Sequence, residues 1–204
     1  MQLVIGILAS TNATDLQAVI DAIAEKKLSA EIACLISNKA DAFALERAKK
    51  HNIEAIFLNP KDFKSMEEFD LRLVKELQKR RVGLVLLIGY NKILAPVFID
   101  AFKNRAMNIH PSLLPSFKGW DRNVHRDILD FGSKITGCTL HFVTEEADAG
   151  PIIIQTPVPI AEDETVDSLK EKVQKAEGEA IIRGIKLFSE GKIRIEGNKA
   201  KILN

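Results

Sequence analysis

The segment Asn108-Ile109-His110-Pro111-Ser112-Leu113-Leu114-Pro115 and the later Asp148-Ala149-Gly150-Pro151 place an amide, an imidazole and a carboxylate at the ends of predicted strands. Held together, these groups can polarise a carbonyl, stabilise an oxyanion and move a proton. That is equipment for acyl or formyl transfer without a covalent enzyme intermediate. The two prolines stiffen the loop after the histidine, because proline fixes φ. Strand alternation turns positions 108 and 110 to the same side, so both can converge on one carbonyl oxygen. Asp148 has two readings. It either shapes its own turn, or it faces His110, favouring imidazolium and orienting the ring. The two are distant in sequence, so only the fold can join them.

Three further segments carry chemistry. Ser10-Thr11-Asn12-Ala13-Thr14-Asp15 lies between a strand and a helix. Thr14 with Gln17 forms a capping-box pattern, and the segment reads as a capped helix start or as an anion site at a helix N-terminus. Gly89-Tyr90-Asn91-Lys92-Ile93-Leu94 follows the most apolar strand and reads as a turn or as the wall of a pocket. Lys118-Gly119-Trp120-Asp121-Arg122 reads as a flap beside the site or as an ordinary surface loop. His110, His125, His141 and Asp148 are atom types that bind metals, but no tight ligand spacing is present, so no metal is expected.

Short β-rich runs alternate with amphipathic stretches. Strands are predicted at 2–8, 31–36, 53–57, 83–88, 105–109, 136–143 and 151–158, and helices at 14–26, 41–51, 65–80, 95–102 and 165–190. The tail KIRIEGNKAKIL alternates about Gly197-Asn198, a hairpin signal. The alternation predicts an α/β fold: three αβα layers around a mostly parallel, Rossmann-like sheet, in one domain over 1–204 whose C-terminal part, about 165–204, is a long helix and a small hairpin. Ligands of such sheets bind beyond the carboxyl ends of the strands, where strand order reverses. Ser10–Asp15, Gly89–Leu94 and Asn108–Pro115 sit at such ends and should meet in one cleft.

The 204 residues suffice for one buried core. A net charge of +1 gives no reason to expect a nucleic acid partner. Lys79-Arg80-Arg81 reads as a solvated helix end. The start MQLVIGILAS lacks a basic leader, and no apolar run is long enough for a bilayer, so a cytoplasmic protein without membrane contact is expected. Cys34 and Cys138 sit inside apolar runs and read as reduced, buried thiols.

With Thr136-Gly137-Cys138-Thr139-Leu140-His141-Phe142-Val143, Asp148-Ala149-Gly150-Pro151-Ile152-Ile153 and the early Ser37-Asn38-Lys39-Ala40-Asp41-Ala42 added to the Asn108–Pro115 block, nearly the whole chain resembles the phosphoribosylglycinamide formyltransferases of the folate-dependent formyltransferase superfamily. The resemblance implies the formyltransferase fold and formyl transfer from 10-formyltetrahydrofolate to the amine of glycinamide ribonucleotide in purine biosynthesis. It implies that Asn108, His110 and Asp148 are catalytic and that Thr11, Asn12, Ala13, Thr14 and Asp15 bind the substrate phosphate. Glu177 matches the acid that binds the ribose, and Asn91, Lys92, Ile93, Leu94, Val143, Glu145 and Glu146 match the folate pocket. It implies a co-substrate rather than a tightly bound cofactor, and a monomer or homodimer.

The chain departs from that family where Thr11 and Ala13 replace glycines and Asp15 replaces an asparagine. An alanine at a position that needs positive φ costs about 1 kcal/mol. Asn91 and Lys92 stand where methionine and arginine are common, and the spacing from Trp120 to His125 is altered. Rival readings are a methionyl-tRNA formyltransferase, which needs a further C-terminal domain and a basic face, and a formyltetrahydrofolate deformylase, which needs an N-terminal regulatory domain. A formyltransferase for an amino sugar nucleotide and a non-catalytic folate- or nucleotide-binding homologue complete the set.

Overall fold

The computed structural model describes residues 2–119 and 123–203. Trp120, Asp121 and Arg122, the greater part of the predicted flap, lie outside the described residues. The chain runs β1 (Leu3–Leu8), α1 (Leu16–Ala24), β2 (Ala30–Ser37), α2 (Phe43–Lys50), β3 (Glu54–Phe57), α3 (Met66–Lys79), β4 (Leu84–Leu87), α4 (Pro96–Ala101), β5 (Ala106–His110), α5 (Val124–Asp130), β6 (Ile135–Phe142), β7 (Ile152–Pro159), α6 (Val166–Ser189), and the hairpin β8 (Ile193–Glu196) and β9 (Lys199–Ile202).

The strands β1 to β7 form one sheet in the order β3-β2-β1-β4-β5-β6-β7. Pairing is parallel from β3 through β5, and β6 runs antiparallel to both of its neighbours. The order reverses between β1 and β4, which places the switch point at Ser10 and Gly89. The period-two pattern of the strands sorts their side chains to two faces. Ile5, Ile7, Leu35, Leu84, Leu86, Met107 and Leu140 pack under α1, α2, α5 and α6. Leu8, Cys34, Ile36, Val85 and Leu87 pack under α3 and α4. The three-layer αβα prediction therefore holds. Among the described residues no helix is long and apolar enough to cross a membrane.

Cys34 and Cys138 are free and buried, and burial pushes their thiols up to about 11 and about 12. Arg80 of the basic helix end is held by Glu54 at 2.5 Å and Glu76 at 2.6 Å.

Two local expectations fail. The Thr14–Gln17 capping box does not form: α1 starts at Leu16 after Asp15, with no side-chain cap. Backbone turns, Leu16 N–H to Ala13 O and Gln17 N–H to Thr14 O, take its place, while the Gln17 side chain donates to Asp21 and accepts from Arg47. Helix α5 was not expected. Asn123 Oδ1 caps it by accepting Arg126 N–H, and Val124 and Ile128 face inward one turn apart.

Candidate active site

The antiparallel register of β5 on β6 builds the polar centre. Asn108 pairs with His141, and His110 with Thr139. His141 Nδ1–H donates to the Phe142 carbonyl at 2.9 Å, which leaves Nε2 as an acceptor. Asn108 Nδ2 donates to that Nε2 at 3.2 Å, so the amide nitrogen is the atom turned toward His141. Among the described residues that is the one hydrogen bond of the Asn108 amide nitrogen.

His110, only 5% exposed, donates from Nε2 to the Phe117 carbonyl at 2.9 Å. Its Nδ1 faces Asp148 Oδ2 at 3.5 Å. Burial pulls the imidazole below its ordinary value, with His141 acting in the same sense and Asp148 and the Phe117 carbonyl opposing.

Asp148 adopts a left-handed φ of 53°, which aspartate tolerates better than most residues. Its carboxylate does not serve its own turn: Oδ2 accepts Gly119 N–H at 3.0 Å, and Oδ1 lies 3.7 Å from His141 Nε2. Burial works upward on this group, but His141 and His110 in their protonated forms and the Gly119 N–H outweigh it and hold the carboxyl at about 2. Gly150 lets the turn come down on β6, since a Cβ there would sit 1.9 Å from the Phe142 carbonyl oxygen. The hairpin supports the turn from outside, where Asn198 Nδ2 donates to the Ala149 carbonyl at 3.3 Å.

Asn108, His110 and Asp148 line a cavity of about 490 Å³ together with every residue expected at the folate pocket: Asn91, Lys92, Ile93, Leu94, Val143, Glu145 and Glu146. Lys92 Nζ also lies 5.2 Å over the Phe69 ring. Sequence reasoning missed a further part of the lining, formed by Asn123, His125, Asp167 and Lys170. His125 Nδ1 is buried without a hydrogen-bond partner among the described residues, and burial, then Lys170, pulls this imidazole below its ordinary value. His141 was also missed as a site residue; its signal is the pairing register with Asn108, which no single stretch of sequence contains.

The predicted phosphate segment is only partly on this cavity. Thr11 lines it; Thr14 and Asp15 line a neighbouring groove of about 380 Å³ with Gln174 and Lys175, and Asn12 and Ala13 line neither. Ala13 takes φ 44°, the left-handed value that makes the missing glycine costly. Glu177 is buried, 5% exposed, and lies on neither wall. Burial drives its carboxyl well above the ordinary range, and the charge of Asp15 adds to this. Burial likewise raises Asp15 to about 6, against its own backbone N–H, Arg47 and Lys170. Asp15 Oδ1 has no hydrogen-bond partner among the described residues.

Residues 3–185 match the formyl transferase family. The chain is 40% identical over 197 residues to the phosphoribosylglycinamide formyltransferase of Haemophilus influenzae, covering 96% of this chain and 92% of that one. It is 42% identical over 193 residues to the trifunctional purine biosynthetic protein adenosine-3 of Chironomus tentans, covering 94% of this chain and 14% of that much longer protein. The crystal structure of glycinamide ribonucleotide transformylase 1 from Symbiobacterium toebii superposes with a TM-score of 0.94 at 40% identity, covering 100% of this chain and 95% of that one. The chain belongs to the formyl transferase family, in its phosphoribosylglycinamide formyltransferase branch.

Proposed function

We propose that this protein transfers the formyl group of 10-formyltetrahydrofolate to the amine of glycinamide ribonucleotide, a step of purine biosynthesis. The observation that carries the reading is the convergence of Asn108, His110 and Asp148 on the wall of a cavity that also holds the Asn91–Leu94 run. The amine lone pair attacks the formyl carbon, and the carbonyl electron pair moves onto oxygen. Asn108 Nδ2–H and His110 Nε2–H receive that oxyanion. The imidazole N–H then exchanges a neutral partner, the Phe117 carbonyl, for a developing anion, which makes a stronger bond. This interaction grows in the transition state, as catalysis requires.

Asp148 steadies the imidazolium form of His110. At about 2 its carboxyl is a weak base, so its part in proton movement is to hold a water between the amine that loses a proton and the folate nitrogen that gains one. Collapse of the tetrahedral intermediate breaks the bond to that nitrogen. Thr11–Asp15 hold the phosphate, and the pocket from Asn91 to Leu94 with Val143, Glu145 and Glu146 the folate; Glu177, buried off both walls, is given no ligand contact in this reading. In this reading the protein works in the cytoplasm as a monomer or homodimer, with no tightly held cofactor.

Mass spectrometry of the products tests it. Formylated ribonucleotide and tetrahydrofolate are expected in equal amounts. Free formate formed whether or not the ribonucleotide is present would replace this reading with deformylase chemistry. The altered loop at Thr11, Ala13 and Asp15 is the one observation that favours another amine, such as an amino sugar nucleotide, and the same experiment with that acceptor decides between them.

A further inference from the structure

The proposed reaction needs two ligands in the cavity at once, and one buried hydroxyl joins the loops assigned to them. Ser10 lies two residues after β1 and is 4% exposed. Its Oγ donates to Asn38 Oδ1 at 2.5 Å and accepts Asn91 N–H at 3.0 Å. Its own N–H donates to the Gly89 carbonyl at 3.0 Å. Asn38 follows β2 and Asn91 follows β4, the two strands that flank β1, so Ser10 ties three loops at the switch point of the sheet.

The tie has little slack. A Cβ on Gly89, at φ 60°, would lie 2.2 Å from Thr11 Oγ1, so the two loops touch directly beside the hydrogen bonds. On one side of Ser10 the chain continues into Thr11–Asp15. On the other, Asn91 opens the run along the folate wall.

We infer that Ser10 is a positioning residue that couples the two ligand subsites, so that each ligand raises the affinity of the other. The inference rests on the proposed function. A ligand that orders one loop orders the other through Ser10, and the second ligand then loses less conformational freedom on binding. Linkage makes the effect reciprocal. One hydrogen bond of ordinary net strength, about 1 kcal/mol, corresponds to about fivefold in affinity, the lower end of the usual range for coupled sites.

The test is calorimetric. The dissociation constant of a non-transferable 10-formyl folate analogue is measured with and without saturating glycinamide ribonucleotide. The expected tightening is about fivefold in the wild type and in Asn38→Asp, which keeps the acceptor, and less than about twofold in Ser10→Ala. A purely structural serine would weaken each ligand alone and leave the ratio unchanged, so a wild-type ratio in Ser10→Ala overturns the inference, as does a ratio of one in the wild type. If Ser10→Ala does not fold, Ser10→Cys keeps the volume and replaces the hydroxyl that accepts Asn91 N–H by a weak acceptor; loss of the ratio supports the inference and its retention overturns it. Absence of any binding of the ribonucleotide alone to the wild type would overturn the acceptor assignment itself, and the coupling with it.

Discussion

The catalytic wall and the loop Ser10–Asp15, which reaches the same cavity through Thr11, are built in opposite ways. On the wall, strands β5 and β6 fix the side chains by register. Asn108 is held by His141, His141 by the Phe142 carbonyl, His110 by the Phe117 carbonyl, and Asp148 by Gly119 N–H. The loop has a left-handed alanine, a helix start without a side-chain cap, and an aspartate with one oxygen unpartnered among the described residues, whose charge acts on the buried Glu177. The contrast separates two kinds of function. Chemistry that requires fixed geometry rests on strand register at Asn108 and His110 and on a turn pinned by hydrogen bonds at Asp148, and recognition, which can drift, rests on a loop that carries strain and charge.

The largest effects should come from breaking the wall. His110→Ala and Asp148→Asn should each lower kcat by about 10²–10⁴-fold while the circular dichroism spectrum keeps its α/β form. Near-normal turnover in either correctly folded variant would remove the proposed mechanism. Asn108→Ala should cost about 10²–10³-fold in kcat, as loss of one oxyanion donor does, with KM for folate changed far less.

The loop should respond in stability and with the opposite sign. Asp15 has its carboxyl raised to about 6 from 3.8. A raised acid supports the fold fully below 3.8 and loses that support as pH rises through 6, because the buried group must then ionise. Asp15→Asn should therefore stabilise the protein by about 1–3 kcal/mol at pH 8 and by almost nothing at pH 3.5 in denaturant titrations. A pH-independent difference would contradict the burial argument. The smallest effect expected is from Ala13→Gly, a gain of about 1 kcal/mol or less from relief of the left-handed strain, offset by the freedom of glycine in the unfolded chain.

Much of this was legible in the chain. The strands and most helices follow from periodicity, and the predicted meeting of Gly89–Leu94 with Asn108–Pro111 follows from the rule for open parallel sheets. Less visible was whatever depends on register or direction. Apolar alternation marks β6 as a strand but carries no sign of its reversal, so the pairing of Asn108 with His141 was hidden. Helix α5 has only seven residues, too short for its period to stand out. Thr14 and Gln17 have the spacing of a capping box, yet local spacing cannot foresee that Asp15 rather than Thr14 precedes the first helical residue.

The most direct test of the central claim is turnover of 10-formyltetrahydrofolate, followed by absorbance, with and without glycinamide ribonucleotide, in the wild type and in Asp148→Asn. The account predicts turnover only when the ribonucleotide is present, and its near-complete loss in the variant. Turnover that ignores the ribonucleotide, or that survives in Asp148→Asn, would contradict it.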